Sequence, residues 1–238
     1  MSYKEFHVEN IGTVKLYKRK GSRSLRLSVT AAGDIRATMP TWMPYASGLS
    51  FVNAQRSWIL SQQTKQSTLL TDGQHIGKAH RLYFTTSATL TAPAARIRNS
   101  DIIVSYPAHM TAEQAEVQKK ATEACIRALR LQANALLPQR LKALAEQHDT
   151  PYSRVAIKQL RSRWGSCDQN KNIVLNLFLM QLPWELIDYV LLHELTHTRV
   201  MRHGTPFWAE MQRLDPRSQH LRRAIREHRP ILTAQPMP

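Results

Sequence analysis

Apolar positions in the first part of the chain alternate with polar ones. Val14 and Leu16 are set among polar neighbours, and Leu25, Leu27 and Val29 are separated by Arg26 and Ser28. A period of two is the mark of strands that turn one face to a core. Ala31-Ala32-Gly33-Asp34 fits a hairpin turn, with Ile35 to Met39 as the return strand. Pro40 to Pro44 breaks the pattern. From Tyr45 to Gln66, Leu49, Val52, Trp58 and Ile59 with polar residues between them fit an amphipathic helix. Asp72-Gly73 reads as a turn, and Arg81 to Thr91 and Ile102 to Tyr106 read as further strands.

The texture changes after Thr111. Ala112 to Gln147 is rich in Ala, Leu, Gln, Glu, Lys and Arg, all strong helix formers. Thr111 followed by Gln114 resembles a capping box, and Pro138 is expected to kink or split the helix. Val155 to Leu160 and Asn172 to Leu177 are strand candidates, with a loop expected between them. Pro183 suits the first turn of the next helix, and Thr205 to Leu214 reads as another. The pattern predicts an α+β chain: a β-rich N-terminal domain over 1–110, then a second, helix-rich domain over 111–238. The last residues, Pro230 to Pro238, are expected to fray.

The chemistry is concentrated in that helix, in His193-Glu-Leu-Thr-His197. Residues four apart share a helical face, so His193 and His197 present their imidazoles side by side and supply half of a tetrahedral zinc site. Glu194, next to the first histidine, can reach a water activated by that metal and serve as its general base. Leu186, Ile187, Val190, Leu191 and Leu195 give the helix an apolar surface that holds it rigid. Two residues compete for the third ligand position. His203 lies ten residues after His193, a spacing that zinc proteases use with a glycine at the intervening turn; here that turn position is Val200, and Gly204 and Pro206 follow. Glu210 sits on the following helix, from which other zincins take a glutamate ligand.

Composition narrows the setting. The chain has 238 residues, 42% hydrophobic, and no apolar run approaching the roughly 18–20 residues of a membrane span. Its first residues, Met1-Ser-Tyr-Lys-Glu-Phe, lack the apolar core of a signal peptide, and Cys125 and Cys167 do not make a disulfide framework. A cytoplasmic protein is expected. Lys and Arg outnumber Asp and Glu by 33 to 17, a formal +16, which attracts polyanions and predicts association with nucleic acid or nucleotides through a basic surface. No Gly-rich phosphate loop and no helix-turn-helix or zinc-finger spacing accompanies that charge.

Longer blocks carry a resemblance. Arg161-Ser-Arg-Trp-Gly-Ser-Cys167, Asn172-Ile-Val-Leu-Asn176, Asp188-Tyr-Val-Leu-Leu-His-Glu-Leu-Thr-His197, His203 and Phe207-Trp208 resemble the YgjP-like metallopeptidases, relatives of the SprT-like proteases. The early Gly21-Ser-Arg-Ser-Leu-Arg-Leu stretch and Arg56-Ser-Trp58-Ile are similar as well. The resemblance implies a minigluzincin-like zincin core behind a β-rich part. It also implies His193, His197 and His203 as Zn2+ ligands and Glu194 as the base.

Arg161 and Arg163 are candidates to bind a substrate carboxylate or phosphate, because guanidinium suits bidentate oxyanion recognition. Trp164 is expected to anchor its loop, Cys125 to be core, and His220 is a candidate electrophile. The strand from Asn172 to Leu177 could hold an extended substrate by edge pairing. The expected function is a zinc-dependent metallopeptidase. Two alternatives use the same site: a nucleoside triphosphate pyrophosphohydrolase of the UTP type, as some family members are described, and a SprT-like protease acting on proteins bound to nucleic acid.

Overall fold

Strands β1 (Tyr3–Val8), β2 (Gly12–Arg19), β3 (Arg26–Val29) and β4 (Ile35–Pro40) form one sheet in the order β1-β2-β4-β3. The alternation read from the sequence points Val14, Leu16, Ile35, Ala37 and Met39 into one core with Val52 and Ile59. β4 returns antiparallel to β3, as expected, and lies parallel to β2 on its other side. Helix α1 (Tyr45–Ala54) covers that face. A Cβ at Gly48 would meet Leu16 Cδ1 and Met39 Sδ at 3.2 Å, so this glycine lets the helix approach the sheet closely. Helical backbone resumes at 56–59.

The computed structural model describes residues 3–9, 11–29, 35–59, 69–230 and 232. The expected turn at 31–34, the far end of the helix expected to reach Gln66 and most of the tail from Pro230 lie outside the described residues. The chain forms two compact units, Met1–Thr68 and Leu69–Pro238.

The second unit opens with a sheet of β5 (His75–Ile76), β6 (His80–Ser87), β7 (Ala94–Arg98) and β8 (Asp101–Pro107), in the order β5-β6-β8-β7. Helix α2 (Ala115–Gln147) buries Val117, Ala121, Ala124, Ala128 and Leu129 in one core with Leu82, Ile102 and Val104 of that sheet. The compact units therefore divide at 68/69 and not at 110/111. The change of texture after Thr111 marks where a helix begins, whereas a unit ends where packing ends.

Two local expectations fail in α2. Its N-terminus has no side-chain cap, because Gln114 is the cap residue and donates its N–H to the Thr111 carbonyl as part of a turn. The helix also runs unbroken through Pro138. Leu137, Leu141 and Leu144 are buried on either side of that position, so packing holds the helix together across the missing hydrogen bond.

A third sheet carries the site. It consists of β9 (Arg154–Lys158), β10 (Gly165–Cys167) and β11 (Asn172–Asn176) in the order β10-β11-β9, with β10 antiparallel and β9 parallel to β11. The segment expected as a loop thus contains a short edge strand. A 3₁₀ turn at Leu177–Gln181 leads into α3 (Trp184–Thr196), followed by α4 (Thr205–Leu214) and α5 (Ser218–Ala224). Leu186, Ile187, Val190, Leu191 and Leu195 of α3 are all buried. Among the described residues no helix is long and apolar enough to cross a membrane.

Candidate metal centre

His193 lies in the last turn of α3 and His197 caps its C-terminus. His203 comes back to them after a tight turn. Thr198 and Val200 donate backbone N–H groups to Leu195 and Thr196, and the Thr198 hydroxyl donates to the Leu195 carbonyl at 2.8 Å. These bonds close the turn without a glycine at position 200. The ligand nitrogens of His193, His197 and His203 lie within 4.8 Å of one another. His203 Nε2 and His193 Nε2 are 3.0 Å apart, close to the roughly 3.3 Å that two nitrogens span on a tetrahedral zinc with bonds of about 2.0–2.1 Å.

The surroundings favour neutral imidazoles with free lone pairs. The Val200 carbonyl can only accept, so His197 Nδ1 donates to it at 3.2 Å, which leaves Nε2 unprotonated. Burial, with the charges of His197, His203 and Arg222 adding to it, pushes His193 down to about 3. Burial also lowers His197. Phe207, fully buried, packs against all three rings, at centroid distances of 4.6–4.9 Å. The donor set fits a divalent metal: three converging imidazole nitrogens and a buried carboxyl group beside them.

That carboxylate is Glu194, 4% exposed, with Oε2 lacking a hydrogen-bond partner among the described residues. Burial pushes it up to about 8, and the Arg163 guanidinium opposes the shift. A buried carboxyl oxygen without a partner is costly unless something compensates it.

The wall over Glu194 is the Arg161–Cys167 segment. A Cβ at Gly165 would lie 2.7 Å from Glu194 Oε1, 2.8 Å from Cγ and 2.9 Å from Cδ, so any larger residue there would have to displace Glu194 or the strand. Asn176, fully buried at the end of β11, fixes this wall. Its Nδ2 donates to the carbonyls of Leu160 (2.9 Å) and Arg163 (2.8 Å), its backbone N–H donates to Trp164, and its Oδ1 accepts from the Phe178 N–H.

The cleft in front has a volume of about 600 Å³ and is lined by the three histidines, Glu194, Arg163–Cys167, Tyr189, Val190, Met201 and Ile225. Of the two predicted arginines, Arg163 reaches this lining and Arg161 does not. His220 is exposed on α5 and outside the lining, and Glu210 is ion-paired with Arg199 and Arg213 at 2.8 Å each. The Arg213 hydrogen bond, then that of Arg199, holds Glu210 down to about 2. The structure thus brings His203, not Glu210, to the other two histidines. Cys125 is core as expected, while Cys167 lies half-buried in the cleft wall.

Comparison with known proteins decides the family. The YgjP-like metallopeptidase domain matches residues 23–228. The chain belongs to the YgjP-like family. It is accordingly a metallohydrolase, and its fold is α+β. The structure is similar to the crystal structure of the metallopeptidase zymogen abylysin of Pyrococcus abyssi, with a TM-score of 0.35 and 21% identity over 39% of this chain and 94% of that one. It is also similar to the zymogen jannalysin of Methanocaldococcus jannaschii, with a TM-score of 0.34 and 21% identity over 38% of this chain and 93% of that one. No curated protein sequence matches the chain.

Gly165, Asn176, Tyr189 and Trp208 were not among the residues assigned to the site from sequence. All four lie in the blocks that carry the family resemblance, but nothing local shows that Gly165 faces Glu194 from 29 positions away.

Proposed function

We propose that this YgjP-like family member is a zinc peptidase whose metal is held by His193, His197 and His203 and whose general base is Glu194. The observation that carries this reading is the buried Glu194 carboxyl group, with Oε2 unpartnered among the described residues, beside three converging imidazoles in one cleft. Zinc in that position supplies Lewis acidity, which polarises a carbonyl and makes water acidic near neutral pH. Glu194 Oε2 takes the proton of the attacking water as the tetrahedral carbon forms, and delivers it to the amine nitrogen as the C–N bond breaks. Arg163 opposes the rise that burial imposes on Glu194 and so favours the ionised form that accepts the first proton.

An extended substrate is held by β10. The expected role of β11 in edge pairing fails, because β11 is paired on both sides. Trp164 and Asp168 are hydrogen-bonded to Asn176 and Asn172. Antiparallel alternation therefore turns the N–H and C=O groups of Gly165 and Cys167 to the outer edge, at the cleft.

The test is a hydrolysis screen of zinc-loaded protein with Glu194→Gln as control, against casein, mixed peptides and nucleoside triphosphates. Peptide cleavage lost in the variant, with zinc retained, supports the reading. Pyrophosphate release from a nucleotide, lost in the same variant, keeps the site and replaces the substrate. Salt-dependent DNA binding in a parallel titration would favour proteins bound to nucleic acid as the targets.

A further inference from the structure

The basic charge of the chain is not evenly neutralised around the site. On the helices and loops behind it, arginines have acidic partners: Arg140 with Asp188, Arg199 and Arg213 with Glu210, Arg217 with Asp215. Arg222 has no ion pair among the described residues, and Arg163 faces only the charge of Glu194. Arg163 lines the cleft from the β10 side, and the only carboxylate in the lining is Glu194, already assigned as the base.

Arg222 projects from α5. Its guanidinium carbon sits 3.7 Å from the centre of the Trp208 ring. Trp208 in turn stacks on His203, 5.8 Å between centroids with 23° between planes. Arg222 is therefore the outer member of a stack that starts at a metal-site histidine. A guanidinium lying on an aromatic face keeps its in-plane N–H donors free and loses little freedom when an oxyanion binds.

We propose that the cleft selects peptides carrying a carboxylate close to the scissile bond, bound by Arg222 from its seat on Trp208 and favoured by the field of Arg163. The inference rests on the peptidase reading above and adds the substrate class. The carboxylate is an Asp or Glu side chain or the C-terminus of a short peptide. Both are planar acceptors that match the guanidinium fork. The reacting carbonyl sits at the three histidines, and the stack through Trp208 places the anion site beyond His203 rather than at the reacting atoms.

The experiment uses zinc-loaded full-length protein and peptide pairs that differ only in Glu against Gln near the cleaved bond, with one pair differing in a free against an amidated C-terminus. Turnover is read as kcat/KM, and affinity is read separately as Kd on zinc-loaded Glu194→Gln protein. The acidic member of the pair is preferred by about tenfold or more, the scale of a charge-assisted hydrogen bond. The preference collapses in Arg222→Gln, is reduced in Arg222→Lys, and turns toward a Lys-containing peptide in Arg222→Glu. Arg223→Gln, exposed on the same helix, keeps it. If Arg222 merely covers Trp208, its variants lose stability without moving the acid-to-amide ratio, and that result overturns the proposal. A ratio near one in the native protein overturns it as well, including the case where a nucleoside triphosphate binds and the acidic peptides do not. Acid-selective binding without any peptide turnover would instead sink the peptidase reading and leave the anion site standing.

Discussion

Replacing Gly165 with alanine tests the coupling between the edge strand and Glu194. The added Cβ would meet Oε1, Cδ and Cγ of Glu194 at 2.7–2.9 Å, where ordinary contact begins near 3.4 Å, so one of the two must retreat by about 0.7 Å. The strand cannot yield easily, since β10 is laddered to β11 and the segment before it is held by Asn176. Glu194 sits on α3 with 4% exposure, so its carboxylate has little room to swing without displacing packed neighbours. Overpacking of this kind costs about 1–3 kcal/mol of stability, which a folded protein survives. The catalytic cost is larger, because misplacing a reacting group by about 1 Å costs on the order of a hundredfold in rate. Gly165→Ala should therefore lower kcat on peptide by a factor of roughly 30 to 100. Zinc content should stay at the native level, because the Gly165 contact is with Glu194 and not with the three histidines. The assay is steady-state hydrolysis with metal analysis and a thermal melt on the same samples. Native kcat in a folded, zinc-replete variant would refute the contact as a constraint on the base.

Other consequences follow from the same geometry. Asn176→Asp keeps an acceptor for the Phe178 N–H but loses the two donations to Leu160 and Arg163, so a denaturant titration should show about 2–3 kcal/mol of lost stability together with reduced turnover. His203→Ala should abolish stoichiometric zinc binding, while Glu210→Ala should leave it intact and only loosen the Arg199 and Arg213 contacts; the reverse result would exchange the two ligand assignments. In metal-free protein, Glu194 is protonated when folded up to about pH 8 and ionised when unfolded above about 4.5, so raising the pH favours unfolding between those values. His193 and His197, lowered in the folded state, act in the opposite sense below about 6.5. Between pH 6.5 and 8 the two histidines no longer contribute, and from Glu194 urea midpoints should fall by the equivalent of about 2 kcal/mol, a component absent from Glu194→Gln.

The strands and helices with strong periodicity were readable because their signal is local. Val14 and Leu16 point inward for the reason any alternating strand does, and α3 is an apolar helix under either reading of its context. Signals that rest on one residue did worse. Pro138 was expected to kink or split α2, yet Leu137 and Leu141 are buried beside it and the helix is not split. The capping box at Thr111 and Gln114 did not form, since Gln114 spends its N–H on a turn.

The pair His193 and His197, with Glu194 between them, is fixed by sequence alone, because helical geometry sets the positions of residues one and four apart whatever surrounds them. Everything that completes the site depends on distant parts of the chain meeting. Spacing left His203 and Glu210 open, and ion pairs with Arg199 and Arg213 decide which way Glu210 points. The strand suited to hold a substrate was misplaced from sequence, because which strand is an edge is a property of the sheet order and not of any strand's own residues. The closeness of Gly165 to Glu194, the reach of Asn176 across to Leu160 and the Arg222–Trp208–His203 stack leave no local mark, since each is a contact between elements that only packing brings together.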